Sequence, residues 1–162
     1  MYSDQIYIVD PYSGKFMDFK NETEAYTYFM SNVGLDYYRE LLISKIHEIA
    51  SSITLLGFSI GASAIWEISK DLESDIVTNA FCFYGSQIRN NLDIEPEFPV
   101  DLILPISEPH FSIPDLSKHL SKKDNVTIHQ TDYLHGFMNT YSANFNKDGY
   151  DYYIKWLHLK TS

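Results

Sequence analysis

Gly57-Phe58-Ser59-Ile60-Gly61 is the stretch of this chain best equipped for chemistry. It lies between an apolar run, Ile53-Thr54-Leu55-Leu56, and a segment from Ile60 to Leu72 with apolar residues Ala64, Ile65 and Ile68 at helical spacing. A serine between two such elements, with glycine two residues to either side, has the pattern of a nucleophile elbow. The chain must reverse sharply at the serine, which strains its backbone. Flanking glycines remove the Cβ atoms that would collide where strand and helix approach. The hydroxyl is then pushed out above the sheet, and the Ile60 N–H points from the helix N-terminus toward an oxyanion forming on a substrate.

A serine hydroxyl is a weak nucleophile at neutral pH and needs a base beside it. In this architecture the base is a histidine late in the chain, preceded by an acid. Of the six histidines, His135 is best placed, in a loop after the last expected strand and followed by Gly136. His129 falls inside a strand, His119 on a helix, His47 on a helix before Ser59, and His158 near the C-terminal end. The acid should follow the expected strand Asp101 to Ile106. Glu108 is two residues past it, where it would hold the histidine in one tautomer and stabilise its cation. Asp115 is the competitor, but Pro114 before it marks the first turn of a helix. His110, Phe58, Tyr84 and Arg89 are candidates to line the cleft or contact substrate. Arg89 could take a carboxylate, although a solvated arginine is the commoner state.

The elements that must position these residues alternate. Strands are expected at Gln5 to Val9, Ile53 to Leu56, Asn79 to Tyr84, Asp101 to Ile106 and Val126 to Gln130. Helices are expected at Glu22 to Met30 with Asn21 as N-cap, Leu35 to Ala50, Ile60 to Leu72, Ile113 to Lys122 and Lys147 to Leu159. Asn90 to Pro99, polar and with two prolines, reads as a loop. The alternation implies an α/β fold: a mostly parallel sheet of about five strands with helices on both faces. The 162 residues fit one domain.

The 12 basic and 22 acidic residues give a net charge of −10. Such a surface repels phosphate backbones and anionic lipid, so nucleic acid and membrane are poor partners. No stretch has the pattern of a signal peptide or a membrane span. The single cysteine, Cys82, excludes an intramolecular disulfide and fits a reducing, cytoplasmic setting.

Four segments resemble the dienelactone hydrolase family of the α/β-hydrolase superfamily, and in the same order: Tyr7-Ile8-Val9-Asp10-Pro11-Tyr12-Ser13-Gly14, Gly57-Phe58-Ser59-Ile60-Gly61-Ala62, Phe83-Tyr84-Gly85, and His135-Gly136-Phe137-Met138-Asn139. The resemblance implies hydrolysis of a small-molecule ester, lactone or related acyl substrate, through an acyl-enzyme and without metal or organic cofactor. This chain departs from the family in three ways. Serine replaces the founding members' cysteine, glutamate replaces their aspartate, and the strands that precede the one matching Gln5 to Val9 are missing. One of those strands leads into the loop that donates the second oxyanion N–H. Its usual place is between the strands matching Gln5 to Val9 and Ile53 to Leu56. The chain is then part of a longer protein, or those two strands pair directly, or a second copy fills the gap as a homodimer. If the incomplete half disables hydrolysis, the alternative is a binding or interaction module. A flavodoxin-like cofactor binder is the weakest reading, since Asp10 to Gly14 lacks a phosphate cradle.

Overall fold

The computed structural model describes residues 5–161 and divides into two compact units, one ending at Ala50 and one beginning at Ser51. The first holds helices α1 (Glu22–Asn32) and α2 (Leu35–His47). Asn21 caps α1 as expected: its side chain accepts from the Glu24 N–H at 2.9 Å, satisfying a donor the helix leaves open.

The second unit contains the sheet. Its strands are β1 (Ile53–Phe58), β2 (Val77–Phe83), β3 (Val100–Leu104) and β4 (Val126–Gln130), hydrogen-bonded in the order β1-β2-β3-β4 and all parallel. Helices α3 (Ile60–Ile68), α4 (Ile113–Leu120) and α5 (Lys147–Thr161) complete the alternation. A 3₁₀ turn at Ser86–Asn90 lies in the β2–β3 connection. The fold is therefore α/β with a parallel sheet covered on both faces. The alternating pleat explains the layering. Phe81, Phe83 and Ile103 face one side and pack with Phe137, Tyr153 and Leu157, the last two from α5. Helix α3 packs against β1 and β2. It is apolar nearly all round and is buried accordingly, with Trp66 and Ile68 fully enclosed.

The sheet has four strands among the described residues, not five. Gln5 to Val9 forms no strand. Its residues suit a strand, but a strand exists through a ladder, and here no neighbour supplies one. Ile6 and Ile8 remain 84% and 83% exposed and Tyr7, on the opposite face of an extended segment, 44%, so neither face is buried. Asp10 then turns the chain by accepting from the Tyr12 N–H at 2.9 Å. Within the second unit β1 stands at one edge of the four-stranded sheet.

Register also creates a pair that no local pattern announces. Asp101 on β3 is buried, and His129 on β4 places Nε2 2.6 Å from its Oδ1. Asn79 on β2 donates to the other oxygen at 3.1 Å. Burial alone would raise the Asp101 carboxyl, but the hydrogen bonds from His129 and Asn79, with the charges of His129 and Lys160, hold it below its ordinary value. A carboxyl depressed in the folded state stabilises that state above its unfolded value, and the contribution fades as pH falls through the folded value. Asp101→Asn should therefore cost about 2 kcal/mol at pH 7 in urea unfolding. The gap to wild type should narrow below about pH 4. A gap that does not change with pH would rule out an ionised Asp101 as its source.

Candidate active site

The turn after β1 carries the serine. Ser59 has φ 50° and ψ −111°, a backbone region that non-glycine residues rarely occupy. Holding it there costs about 1–3 kcal/mol, so the surroundings must over-determine it. They do. The Ser59 N–H donates to the Phe83 carbonyl at 2.9 Å, and its own carbonyl accepts from the Ser63 N–H and hydroxyl, both at 3.1 Å. The helix begins at the next residue, so the Ile60 N–H is among the first-turn donors that a helix leaves without an internal acceptor.

Gly57 makes this turn possible. A Cβ there would lie 2.6 Å from the Ala62 nitrogen and the Gly61 carbonyl carbon, and 2.7 Å from the Gly61 oxygen. These are backbone atoms of the turn itself and cannot swing aside. Gly57→Ala should lower unfolding stability by about 3 kcal/mol, at the upper end of overpacking costs. A variant with wild-type thermal stability would contradict so tight an approach of strand and helix.

Residues from the ends of three strands converge at this turn. Ser59 Oγ lies 3.1 Å from His135 Nε2, and His135 Nδ1 lies 2.7 Å from Glu108 Oε1. The three side chains form one hydrogen-bonded chain, with Glu108 nearly buried and His135 partly open to solvent. The acid on His135 is Glu108. Asp115 instead sits in the first turn of α4, its N–H bonded to the Ser112 side chain at 3.2 Å.

The loops that hold the acid and the base are tied to each other. The Ile106 N–H donates to the Tyr133 carbonyl at 2.8 Å, and the Gln130 side chain donates to the Pro105 carbonyl at 2.8 Å. Asn144 donates to the His135 carbonyl at 2.9 Å, and Gly136 takes up φ 85°, which glycine adopts without penalty. Glu108 is further set by an antiparallel bridge to Phe111. The bonds from Ile106 and Gln130 were not visible in the sequence, because each joins residues distant along the chain.

The other expected residues fall around this core. Tyr84 is buried, and its ring centroid lies 4.8 Å from that of His135 and 6.1 Å from that of Phe58. Its φ of 42° makes it, like Ser59, a positive-φ non-glycine residue, on the strand end beside Ser59. Nothing in a tyrosine's side chain signals that conformation. Phe58 stays partly exposed with its ring 5.0 Å from Phe83. Arg89 donates to the Ser86 carbonyl, and its guanidinium lies 4.9 Å over the Phe111 ring. It thus touches the loop that carries Glu108. His110 is exposed, and no hydrogen bond or ring contact among the described residues joins it to Ser59, Glu108 or His135.

Cys82 is buried in β2, where burial pushes its thiol up and keeps it protonated. Among the described residues no group of three His, Cys, Asp or Glu side chains could hold a metal ion. No described helix is long and apolar enough to cross a membrane.

Chemically, the arrangement offers a partly buried hydroxyl with an imidazole on it, a carboxyl behind the imidazole, and a helix N-terminus after the hydroxyl. No protein-family model matches the chain. It is similar to "Uncharacterized protein YczH" of Bacillus subtilis (strain 168), with 37% identity over 131 residues. The match covers 79% of this chain and 63% of that protein, so the chain spans a little under two thirds of its relative's length.

Proposed function

We propose that this chain is a cytoplasmic serine hydrolase of the dienelactone hydrolase type, acting on an ester, lactone or related acyl bond. The observation that carries the reading is the continuous hydrogen-bonded chain from Ser59 through His135 to Glu108, built on a strained strand-to-helix turn. Strain of that kind is retained where function requires it. The single buried thiol, with no disulfide, fits a reducing compartment.

In this reading Ser59 Oγ attacks the acyl carbon while its proton passes to His135 Nε2. The carbonyl oxygen becomes an oxyanion, which the Ile60 N–H meets. The tetrahedral adduct collapses, the bond to the leaving oxygen breaks, and that oxygen takes the proton from His135. Water then attacks the Ser59 ester, giving its proton to His135. The second adduct collapses to the free acid, and Ser59 recovers its proton. Glu108 keeps Nδ1 of His135 protonated and stabilises the cation formed in each half.

A fluorophosphonate probe tests the reading. It should label the chain once, on the peptide containing Ser59. An unlabelled protein, under conditions where a reference serine esterase labels fully, would defeat it.

A further inference from the structure

We infer that the acyl group this site accepts is apolar and uncharged, an inference that rests on the hydrolase reading above. Its basis is three exposed side chains. Phe58, Ile106 and Leu134 are 38%, 51% and 46% exposed. Each stands one or two residues before a member of the hydrogen-bonded trio: Phe58 before Ser59, Ile106 before Glu108 and Leu134 before His135. They come from the ends of three different strands, β1, β3 and β4.

Two of the three are brought together directly. The bond from the Ile106 N–H to the Tyr133 carbonyl sets Ile106 beside the backbone that leads into Leu134. Phe58 is linked to the same place through aromatic contacts, since its ring adjoins Tyr84, whose ring adjoins His135. The edge position of β1 accounts for exposure on that strand, as with Leu56. It does not account for Ile106, which follows β3 in the interior of the sheet; Leu134 follows β4, the other edge strand. Clustered exposed apolar side chains with polar neighbours mark a surface that binds apolar matter.

Charge points the same way. In the loops 84–91, 105–112 and 131–146, Arg89 is the one lysine or arginine. Its guanidinium donates to Ser86 and covers Phe111. A carboxylate on the acyl group would meet the Glu108 loop on a chain of net charge −10. The ligand chemistry that fits is an aliphatic or aryl acyl chain without a terminal charge.

Each methylene that leaves water is worth about a fourfold gain, so two are worth up to about sixteenfold. The test compares kcat/KM for p-nitrophenyl acetate, p-nitrophenyl butyrate and the p-nitrophenyl monoester of succinate. Butyrate should exceed acetate by about tenfold, and succinate should fall below butyrate by a similar factor. In the double variant Ile106→Ser, Leu134→Ser the butyrate-to-acetate ratio should drop toward one. If acetate is hydrolysed and butyrate is no better, or succinate is as good as butyrate, the apolar site is overturned while the hydrolase reading stands. An unchanged ratio in a folded double variant overturns the assignment to these residues. No hydrolysis of any of the three esters overturns both.

Discussion

Ser59→Ala should reduce ester hydrolysis by about 10⁶-fold in kcat, leaving a residue of activity no larger than the turn and the binding surface supply alone. The size of the effect follows from what the hydroxyl does. His135 Nε2 is 3.1 Å from Ser59 Oγ, and in the proposed reaction it is the base that takes the proton. Without the oxygen there is no acyl-enzyme, and the remaining route is direct attack by water. The loss should appear in kcat with KM little changed, because alanine removes an atom that bonds to substrate only as the reaction proceeds. Folding should be almost unaffected. Alanine at a φ of 50° keeps the strain serine already bears, and the bonds to the Phe83 carbonyl and from Ser63 involve only backbone atoms of residue 59. Steady-state kinetics with thermal unfolding in parallel checks both halves. Equal rates for variant and wild type would mean that any hydrolysis observed does not pass through Ser59, and a binding module would become the better reading.

Glu108→Gln is the second large effect, expected at about 10²–10⁴ in kcat. Glu108 Oε1 lies 2.7 Å from His135 Nδ1, and in the proposed reaction it accepts from Nδ1 so that Nε2 is the nitrogen that takes the serine proton. Glutamine has the same shape but can present its NH₂ to Nδ1, which would move the proton to Nε2 and disable the base. It also removes the negative charge that stabilises the imidazolium. Because the acid loop is held independently, by Ile106 to Tyr133, Gln130 to Pro105 and the bridge to Phe111, the variant should keep its fold. A fall in kcat with unchanged unfolding stability is the expected signature. A variant that loses stability and activity in step would make Glu108 a structural residue only.

How much of this could be read from residues alone depended on the range of the forces involved. The Ser59 turn was legible because its requirement is local: Gly57 must lack a Cβ, and five consecutive residues state the whole geometry. Asn21 was legible for the same reason, since a cap acts across three residues. His135 and Glu108 could be chosen by chain order and by their places after expected strands, and the structure brings both to Ser59. Where the outcome depended on partners far along the chain, residue types misled or were silent. Gln5 to Val9 has strand-forming residues but no ladder. His129 is an ordinary strand residue until the register places it beside Asp101. The left-handed Tyr84 has no sequence signature, because its φ is imposed by the bond from its N–H to the Ile103 carbonyl and by its packing on His135. The 3₁₀ turn at Ser86–Asn90 went unread within a stretch that offered neither helical nor strand periodicity.

The measurement that bears most directly on the central claim is the rate of fluorophosphonate labelling at Ser59, compared between wild type and His135→Gln at pH 7 and followed by mass spectrometry of the Ser59 peptide. An exposed serine without a base would label slowly in both. A serine activated by His135 should label fast in the wild type and at least about 100-fold more slowly in the variant, the contribution expected of a positioned general base. Equal rates in the two proteins would contradict the account: Ser59 would then be an accessible hydroxyl in an unusual turn rather than a nucleophile.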